Sequence, residues 1–137
     1  MMRSEELLKS NTLKVTKIRT AVLNLFLDKG FALTHADLEH FLGKEFDRVT
    51  LYRTLNAFEE KGITHKLLGP DGVSHFALCA GECDEHHHHD QHIHFHCTSC
   101  DKMYCLDEIG FPKINLPKGY TMKDADLQVS GLCADCT

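Results

Sequence analysis

Two pairs of cysteines have the spacing of zinc-binding knuckles. They are Cys97-x-x-Cys100 and Cys133-x-x-Cys136, and 32 residues lie between the pairs. Four thiolates complete the closed tetrahedral coordination of a structural zinc, which stabilises folding and leaves no open position for catalysis. Four unrelated buried thiols are the alternative, but two matched spacings rarely coincide. We therefore predict one structural zinc ion bound by these four cysteines.

Histidines are concentrated just before the first cysteine pair. Residues 92–97 alternate in type, so in a strand His92 and His94 point to one face. Two imidazoles need further ligands, and His65 and Cys79 lie at the two ends of a predicted hairpin, near the joint between the halves of the chain. A site of these four residues would connect the two halves. The alternative is that each is an ordinary polar or half-buried side chain.

The ligand types indicate which metal such a site would select. A thiolate among imidazoles suits a borderline-soft ion such as Zn²⁺, whereas Fe²⁺ and Mn²⁺ are more often held by histidines and carboxylates. We therefore expect zinc first, with iron or manganese as the alternative. The expected total is two zinc ions per chain, one structural and one regulatory.

Other metal-binding residue types stand at less informative positions. The run His86–His89 lies in an acidic segment, where weak adventitious metal binding is expected. Cys83 and Cys105 remain unassigned, since each could be a further ligand, a buried thiol or a redox-sensitive group. A zinc hydrolase would need an open coordination position and a carboxylate base, and the sequence contains no His-Glu-x-x-His motif. We expect no catalytic site and no small-molecule substrate other than a metal ion.

Three helices are predicted upstream of these ligands. The first covers residues 17–29, between a capping Thr16 and a terminating Gly30. The second begins at Thr34 and the third at Asp47, which are residue types that cap helix N-termini. A weaker pattern indicates an earlier helix over residues 4–10.

A β-hairpin is predicted to follow the third helix. Its strands cover residues 63–68 and 73–79, and a Gly-Pro-Asp-Gly turn joins them. Three short helices followed by a hairpin are typical of a winged helix-turn-helix, in which the third helix reads DNA.

The predicted fold is α+β and has two domains. The winged helix-turn-helix covers residues 1–79, a His-rich acidic loop links the domains over residues 80–91, and a small zinc-held domain covers residues 92–137. The second domain is expected to be an antiparallel sheet, because Pro112 and Pro117 leave little room for a long helix. Its predicted strands cover residues 92–97, 102–106 and 126–130.

The exposed face of the third helix carries residue types that read DNA. Arginine can bind both acceptors of guanine in the major groove, and a tyrosine ring can pack against the thymine methyl. Basic residues near helix starts are better placed for phosphates, which position a protein without specifying sequence. A solvated amphipathic face is the alternative. The candidates for base or phosphate contact are Lys14, Arg19, Arg48, Thr50, Tyr52, Arg53 and Asn56.

The charge distribution allows a nucleic-acid partner although the chain carries a net −5. Residues 1–70 carry a net +2 and residues 71–137 a net −7, and local charge governs contact with phosphate. No segment approaches the roughly 18–20 apolar residues that span a bilayer, and the first residues lack the apolar core of a secretory signal. We therefore expect a cytoplasmic protein with reduced thiols and no membrane partner.

Four segments, in this order along the chain, resemble the ferric uptake regulator (Fur) family. The resemblance spans about residues 10–136 and implies a DNA-binding winged-helix domain joined to a C-terminal dimerisation domain. It further implies a homodimer that binds palindromic double-stranded operator DNA as a metal-loaded repressor of metal-uptake genes. The segments are Thr-Lys-Ile-Arg-Thr-Ala-Val-Leu at 16–23, Asp-Arg-Val-Thr-Leu-Tyr-Arg-Thr-Leu at 47–55, the His-rich strand with Cys97-x-x-Cys100, and Cys133-x-x-Cys136.

The resemblance also implies roles for individual residues. Tyr52 and Arg53 fall on the family's base-contacting pair, and the four paired cysteines fall on its structural zinc. The expected function is therefore a zinc-responsive repressor. An iron- or peroxide-responsive member of the same family is one alternative, and a zinc buffer or chaperone without operator affinity is the alternative from another class. The residues that line up with the sensor ligands of zinc uptake regulators are His65, Cys79, His92 and His94.

This chain departs from the family pattern at several positions. An additional inter-domain metal site would need ligands at Gln91, Ile93, Pro112 and Ala125, of which only Gln91 could serve, and weakly. Cys105 stands where some zinc regulators have a glutamate ligand, which leaves the fourth sensor ligand open.

Overall fold

The computed structural model describes residues 4–78, 91–106, 109–110, 112–123 and 125–137, without the side chains of Gln91 and His92. Four helices and three strands form the N-terminal part, and three further strands form the C-terminal part. In chain order the elements are α1 (Ser4–Ser10), α2 (Lys17–Lys29), β1 (Leu33–Thr34), α3 (His35–Leu42), α4 (Arg48–Glu60), β2 (Thr64–Leu68), β3 (Ser74–Leu78), β4 (Gln91–Cys97), β5 (Met103–Cys105) and β6 (Ala125–Gly131).

Local capping sets the helix ends as the sequence predicts. The Thr16 hydroxyl accepts a hydrogen bond from the Arg19 N–H at the start of α2, and Gly30 ends that helix with a φ of 71°. At α3, the Thr34 hydroxyl accepts from the Asp37 N–H (3.0 Å) while the Asp37 carboxylate accepts from the Thr34 N–H (2.9 Å). These reciprocal bonds satisfy two donors that a helix N-terminus would otherwise leave without partners.

The helices pack around one apolar core. α4 contributes Leu51, Leu55 and Phe58, each at most 2% exposed, which recur at the i, i+4, i+7 spacing of one helix face. The opposite face of α4 stays in solvent and carries Tyr52 and Arg53. Burial of one face thus determines which residues α4 presents outward.

The first sheet contains the predicted hairpin of β2 and β3 and one additional strand, β1. β2 and β3 pair antiparallel, with Thr64 opposite Leu78, and the two residues of β1 pair with the other edge of β3. β1 was not predicted, because two residues carry no recognisable alternation. With α2, α3 and α4, this sheet completes the predicted winged helix-turn-helix.

The second sheet has the strand order β5-β4-β6 and is mixed. β5 is antiparallel to β4, but β6 runs parallel to it over seven residue pairs, so the prediction of an antiparallel sheet throughout was wrong. Alternation of residue types locates a strand but does not carry its direction, which depends on where the connecting chain runs. Residues 109–110 and 112–123 of that connection contain no helix, as the two prolines predict.

The two faces of the second sheet differ in chemistry. The strand register places His94 beside Cys105 and Gln128 on one face, which we call the ligand face. Phe95 lies beside Tyr104 and Val129 on the other, which we call the apolar face. Side chains alternate between faces along a strand, so the alternating histidines place their imidazoles on one face.

The ligand face packs against the winged helix-turn-helix. The Ala32 N–H donates to the Met103 carbonyl (2.7 Å), and Met103 is fully buried with Leu67 and Ala77. This small apolar cluster orients β5 against β2 and β3, and so brings the predicted ligands of the two halves close together.

The predicted linker, residues 80–91, falls almost entirely outside the described residues, as does Cys79. The proposed domain limits at residues 79 and 92 therefore stay predictions. Within the described ranges, no helix has the length and apolar character needed to cross a membrane.

Replacing Thr34 by alanine should destabilise the winged helix-turn-helix by about 1 kcal/mol, because the α3 N-terminus loses its side-chain cap. Urea unfolding of the zinc-saturated chain, followed by circular dichroism, measures the change. Thr34→Ser keeps the hydroxyl and should stay within a few tenths of a kcal/mol of the parent. Equal stability of the alanine and serine variants would contradict the assigned role of the cap.

Candidate metal centres and DNA-contacting surface

The structure brings the four paired cysteines together at one end of the second sheet. Their sulfur atoms all lie within 4.8 Å of one another, and the sulfurs of Cys100 and Cys133 are 3.8 Å apart. Thiolates bound at about 2.3 Å to one tetrahedral zinc stand about 3.8 Å from each other. The spacing of the four sulfur atoms therefore fits a zinc ion. A zinc ion bound in a closed site of this kind would cross-link the fold.

Backbone geometry prepares these thiols for ionisation. The N–H groups of Cys100 and Cys133 donate to the Cys97 sulfur at 3.5 and 3.4 Å, and these bonds lower the pKa of Cys97 to about 6. The neighbouring Cys133 sulfur has the opposite effect on Cys136, whose pKa it raises to about 12. Four adjacent thiols cannot all ionise without a cation, so the arrangement favours a bound dication over a metal-free group.

A second group of possible ligands lies where the two sheets meet. Possible ligand atoms of His65 on β2, His94 on β4 and Cys105 on β5 all lie within 4.8 Å of one another. The two imidazoles are nearly parallel, with ring centroids 5.8 Å apart, and both histidines are at least nine-tenths buried. We call these three residues the joint cluster, since β2 belongs to the winged helix-turn-helix and the other two strands to the second sheet.

Asp126 orients one imidazole of the joint cluster. Its carboxylate lies 3.1 Å from the His94 Nδ1 and is itself largely exposed. With a proton on Nδ1 donated to this carboxylate, the buried Nε2 of His94 is the unprotonated ring nitrogen, which is the form that binds a metal. Carboxylates commonly hold metal-binding histidines in this way, and they increase the basicity of the ligand.

The joint cluster contains two of the four predicted sensor ligands and adds one. His65 and His94 are brought together, whereas Cys79 and the side chain of His92 lie outside the described residues. Cys105, which the sequence left unassigned, is the third member because the β4–β5 register places it directly opposite His94. Cys83 and the run His86–His89 also lie outside the described residues.

The candidate base-contacting residues are displayed on α4. Tyr52 is 48% exposed, and Arg53 is exposed beside it. Thr50 is half-buried, its backbone N–H donates to the capping carboxylate of Asp47, and its carbonyl accepts from the Thr54 hydroxyl. The side chains free to enter a groove of DNA are therefore Tyr52 and Arg53, together with Asn56 one turn further along.

The candidate phosphate-contacting residues differ in how they are held. Lys14 is exposed, and the Arg19 guanidinium donates to its carbonyl (3.0 Å) at the start of α2. Arg48 is exposed but already paired, since its Nε and Nη2 donate to the two oxygens of Glu39 at 2.9 and 3.4 Å. The hydrogen bonds from Arg48 lower the pKa of the Glu39 carboxyl and raise that of Arg48.

The sequence model of the ferric uptake regulator family matches residues 10–130 of this chain. The chain belongs to that family. Its members are DNA-binding transcription regulators and not enzymes, so this protein is a metal-responsive regulator, and the prediction that it is not an enzyme is confirmed.

Relatives of known name support the same assignment. The ferric uptake regulation protein of Neisseria meningitidis (serogroup A) is 30% identical over an alignment that covers 94% of this chain and 90% of that protein. The transcriptional regulator FurA of Mycobacterium bovis is 28% identical, with coverage of 96% and 88%.

Solved structures support the fold. A zinc-bound manganese uptake regulator superposes with a TM-score of 0.65 at 18% identity, covering 96% of this chain and 99% of that one. A zinc uptake regulator complexed with zinc and DNA gives 0.64 at 20% identity, covering 96% and 89%. At these identities the likeness is one of fold, and it confirms the predicted α+β class with a winged helix-turn-helix.

Sequence reasoning missed Asp126 and did not assign Cys105. Asp126 was noted only as the start of a candidate strand, and no local motif links it to His94, 32 residues earlier. Cys105 did carry a signal, because it lies within the strand predicted over residues 102–106, just beyond the first cysteine pair. Only the pairing of β5 with β4 shows that its side chain lies on the ligand face.

Replacing Cys133 by serine should remove the tightly held metal and unfold the second sheet, because three thiolates cannot complete a closed site. Metal analysis after dialysis against a mild chelator, together with circular dichroism, measures both effects. Cys105→Ser removes a thiol outside the four-cysteine group and should retain the chelator-resistant metal. Equal retention in the two variants would argue against the four-cysteine site.

Proposed function

We propose that this protein is a zinc-responsive transcriptional repressor, a cytoplasmic homodimer that binds palindromic operator DNA when its regulatory metal site is filled. Two zinc ions per chain are expected, one held by the four cysteines and one by the joint cluster. Control of metal-uptake genes is the expected role. Because the family consists of transcription regulators, a zinc buffer or chaperone is no longer a competing interpretation.

The observation that carries this proposal is the joint cluster itself. Its possible ligand atoms lie within 4.8 Å of one another although they come from strands of two different sheets. A metal ion held there would tie β2 to β4 and β5. We retain Cys79 as the fourth ligand, because it follows Leu78, which pairs with the residue preceding His65. His92, also a predicted ligand, is the alternative for that fourth position.

The ligand types favour zinc over iron. In the part of the chain that the structure describes, the joint cluster combines two imidazoles with a thiol and contains no carboxylate. Imidazole and thiolate suit Zn²⁺, whereas Fe²⁺ and Mn²⁺ are more often bound where carboxylates contribute. The carboxylate of Asp126 contacts Nδ1 of His94 and orients that imidazole, and Asp126 is not a member of the cluster. An iron- or peroxide-responsive regulator is therefore the second candidate.

The fold connects the joint cluster to the DNA-contacting helix over a short distance along the chain. α4 ends at Glu60, the Ile63 N–H donates to the Phe58 carbonyl, and β2 begins at Thr64, next to His65. Holding His65 against the second sheet therefore sets the direction of α4 relative to that sheet. A preference of about 1–3 kcal/mol for the DNA-competent geometry is enough for a useful switch.

Tyr52 and Arg53 are the proposed base-contacting residues, supported by their exposure on one face of a capped helix. Arginine binds guanine through two acceptors, and the tyrosine ring packs against a thymine methyl. Lys14 and Arg19, at the start of α2, are the proposed phosphate contacts. Because the chain is acidic overall, operator binding must depend on this local surface.

The outer edge of β6 is the proposed dimer contact. Among the described residues β6 is an edge strand of seven residues, and its Leu127 and Val129 are 36% and 40% exposed on the apolar face. A long edge strand with exposed apolar side chains is a template for pairing with another strand. Two copies joined at β6 would hold two α4 helices at a set spacing, as a palindromic site requires.

His94→Ala should weaken zinc-dependent operator binding by about 5- to 150-fold, the range of a 1–3 kcal/mol coupling. A duplex selected from a random pool by the wild-type chain serves as operator, titrated in the presence of Zn²⁺, Fe²⁺ or Mn²⁺. Wild type should respond to Zn²⁺ at the lowest free concentration. Cys105→Ser and Cys79→Ala should resemble His94→Ala.

His96→Ala is the matched control, because His96 lies on the same strand and face but contacts Asp101 at 3.2 Å and is not part of the joint cluster. It should retain the zinc response. Unchanged zinc response in His94→Ala would remove the assigned site, and a stronger response to Fe²⁺ than to Zn²⁺ would favour the iron-responsive candidate.

Val129→Lys should convert the dimer to monomers, because a charge placed on the apolar edge opposes strand pairing. Sedimentation velocity of the zinc-loaded chain measures the change. Val73→Lys is the matched control, since Val73 is 44% exposed in the turn between β2 and β3 and is not part of the second sheet. A dimer that persists in Val129→Lys would exclude this edge as the contact.

A further inference from the structure

Side chains of α3 contact Tyr52, the exposed tyrosine of α4, and one another. The imidazole of His35 stacks on the Tyr52 ring, with centroids 3.8 Å apart and planes 23° from parallel. The other side of this histidine is held by Glu39, whose Oε1 lies 2.9 Å from the His35 Nδ1. The same oxygen accepts from the Arg48 Nε, also at 2.9 Å. One carboxylate therefore holds both the imidazole and the guanidinium.

We propose that His35 and Glu39 are positioning residues that increase the sequence selectivity of DNA binding. His35 holds the Tyr52 ring at a fixed angle, and Glu39 fixes His35 while withholding Arg48 from the DNA phosphates. This inference rests on the proposed function, because it assigns a role to residues around the proposed base-contacting surface.

The stacking contact with His35 restrains the angle of the Tyr52 ring. Tyr52 is half-exposed, so packing within the core does not restrain it. The His35 side chain is only 15% exposed, and its hydrogen bond to Glu39, one helical turn away, holds the ring in place. A flat, anchored surface behind a half-exposed ring limits its rotation, so less conformational freedom is lost when the ring meets a base.

The pairing of Arg48 with Glu39 changes the charge available for binding DNA phosphates. A free arginine on this surface would bind any phosphate, which increases affinity for all sequences equally. Arg48 instead forms a bidentate pair with Glu39, a geometry that suits a guanidinium and a carboxylate. The pair is exposed and lies at the start of α4, beside the residues proposed to contact bases. Withholding this cation lowers non-specific affinity and so increases the ratio of specific to non-specific binding.

The test uses the full zinc-loaded chain and two duplexes. One duplex is selected from a random pool by the wild-type protein, and the other is a shuffled duplex of the same composition. Dissociation constants are measured on both over a range of salt concentrations. The selectivity is the ratio of the two constants, and the salt slope counts the phosphate contacts.

His35→Gln keeps a hydrogen-bond donor for Glu39 but removes the stacked ring. The selectivity should fall by roughly 2- to 10-fold, which corresponds to the loss of one aromatic contact, and the salt slope should stay unchanged. The matched control is His40→Gln, since His40 lies on the same helix and its ring contacts Phe41 rather than Tyr52.

Glu39→Gln frees Arg48 to contact phosphate. Binding to the shuffled duplex should tighten, and the salt slope should steepen by about 0.9 per protomer, the value for one additional phosphate contact. Glu59→Gln is the matched control, because it removes one negative charge and frees Lys66, its partner at 3.8 Å, elsewhere on the surface. A general effect of net charge would change both variants alike, and that result would overturn the role of Glu39.

A spectroscopic measurement tests the stack without DNA. The ring protons of Tyr52, identified with Tyr52→Phe, should resonate upfield in the wild type because the imidazole lies over the ring. They should move toward ordinary tyrosine positions in His35→Gln but not in His40→Gln. Unchanged ring shifts in His35→Gln would overturn the stacking role.

The outcomes separate this inference from the proposed function. If the wild type prefers its selected duplex in zinc and the His35 and Glu39 variants keep both selectivity and salt slope, the positioning role is wrong and the proposed function stands. If the wild type shows no preference for any duplex in zinc, both are overturned.

Discussion

The contact on which the structure depends is the meeting of β2 with β4 and β5, where His65, His94 and Cys105 approach one another. Each half of the chain forms its own sheet, but neither half supplies all three of these residues. The apolar contact of Met103 with Ala32, Leu67 and Ala77 brings the sheets together next to this point. A metal ion held by ligands on both sides of the boundary would cross-link the two halves, so under the proposed function the orientation of the halves would depend on that ion.

The two candidate metal centres differ in ways that match separate tasks. The four cysteines come from two turns of a single sheet, and backbone N–H groups stabilise the thiolate of Cys97. Such a site supports folding and is not expected to exchange its ion readily. The joint cluster draws its members from two sheets and mixes imidazole with thiol. Under the proposed function, its occupancy would change with the metal supply while a metal ion in the four-cysteine site would keep the second sheet folded.

The proposed DNA-contacting surface depends on both local sequence and tertiary contacts. Capping and the apolar stripe of α4 determine that Tyr52 and Arg53 face solvent. Their surroundings come from α3, where the Thr34–Asp37 capping box fixes the start of the helix that carries His35 and Glu39. The residues proposed to contact DNA and those proposed to position them thus belong to two helices joined by a short turn, as in other helix-turn-helix motifs.

The sequence by itself determined the helix ends, the hairpin, the four-cysteine group and the family, because each depends on residue types at short spacing. Thr16, Thr34 and Asp47 cap their helices through contacts three residues away, and the two knuckles are complete within four residues each. The tertiary structure decided what depends on distant segments: the parallel direction of β6, the support of His94 by Asp126, the entry of Cys105 into the joint cluster, and the pairing of Arg48 with Glu39. Alternation along a strand assigns a face but not a neighbour, and strand register alone decides which side chains from distant segments come within bonding distance.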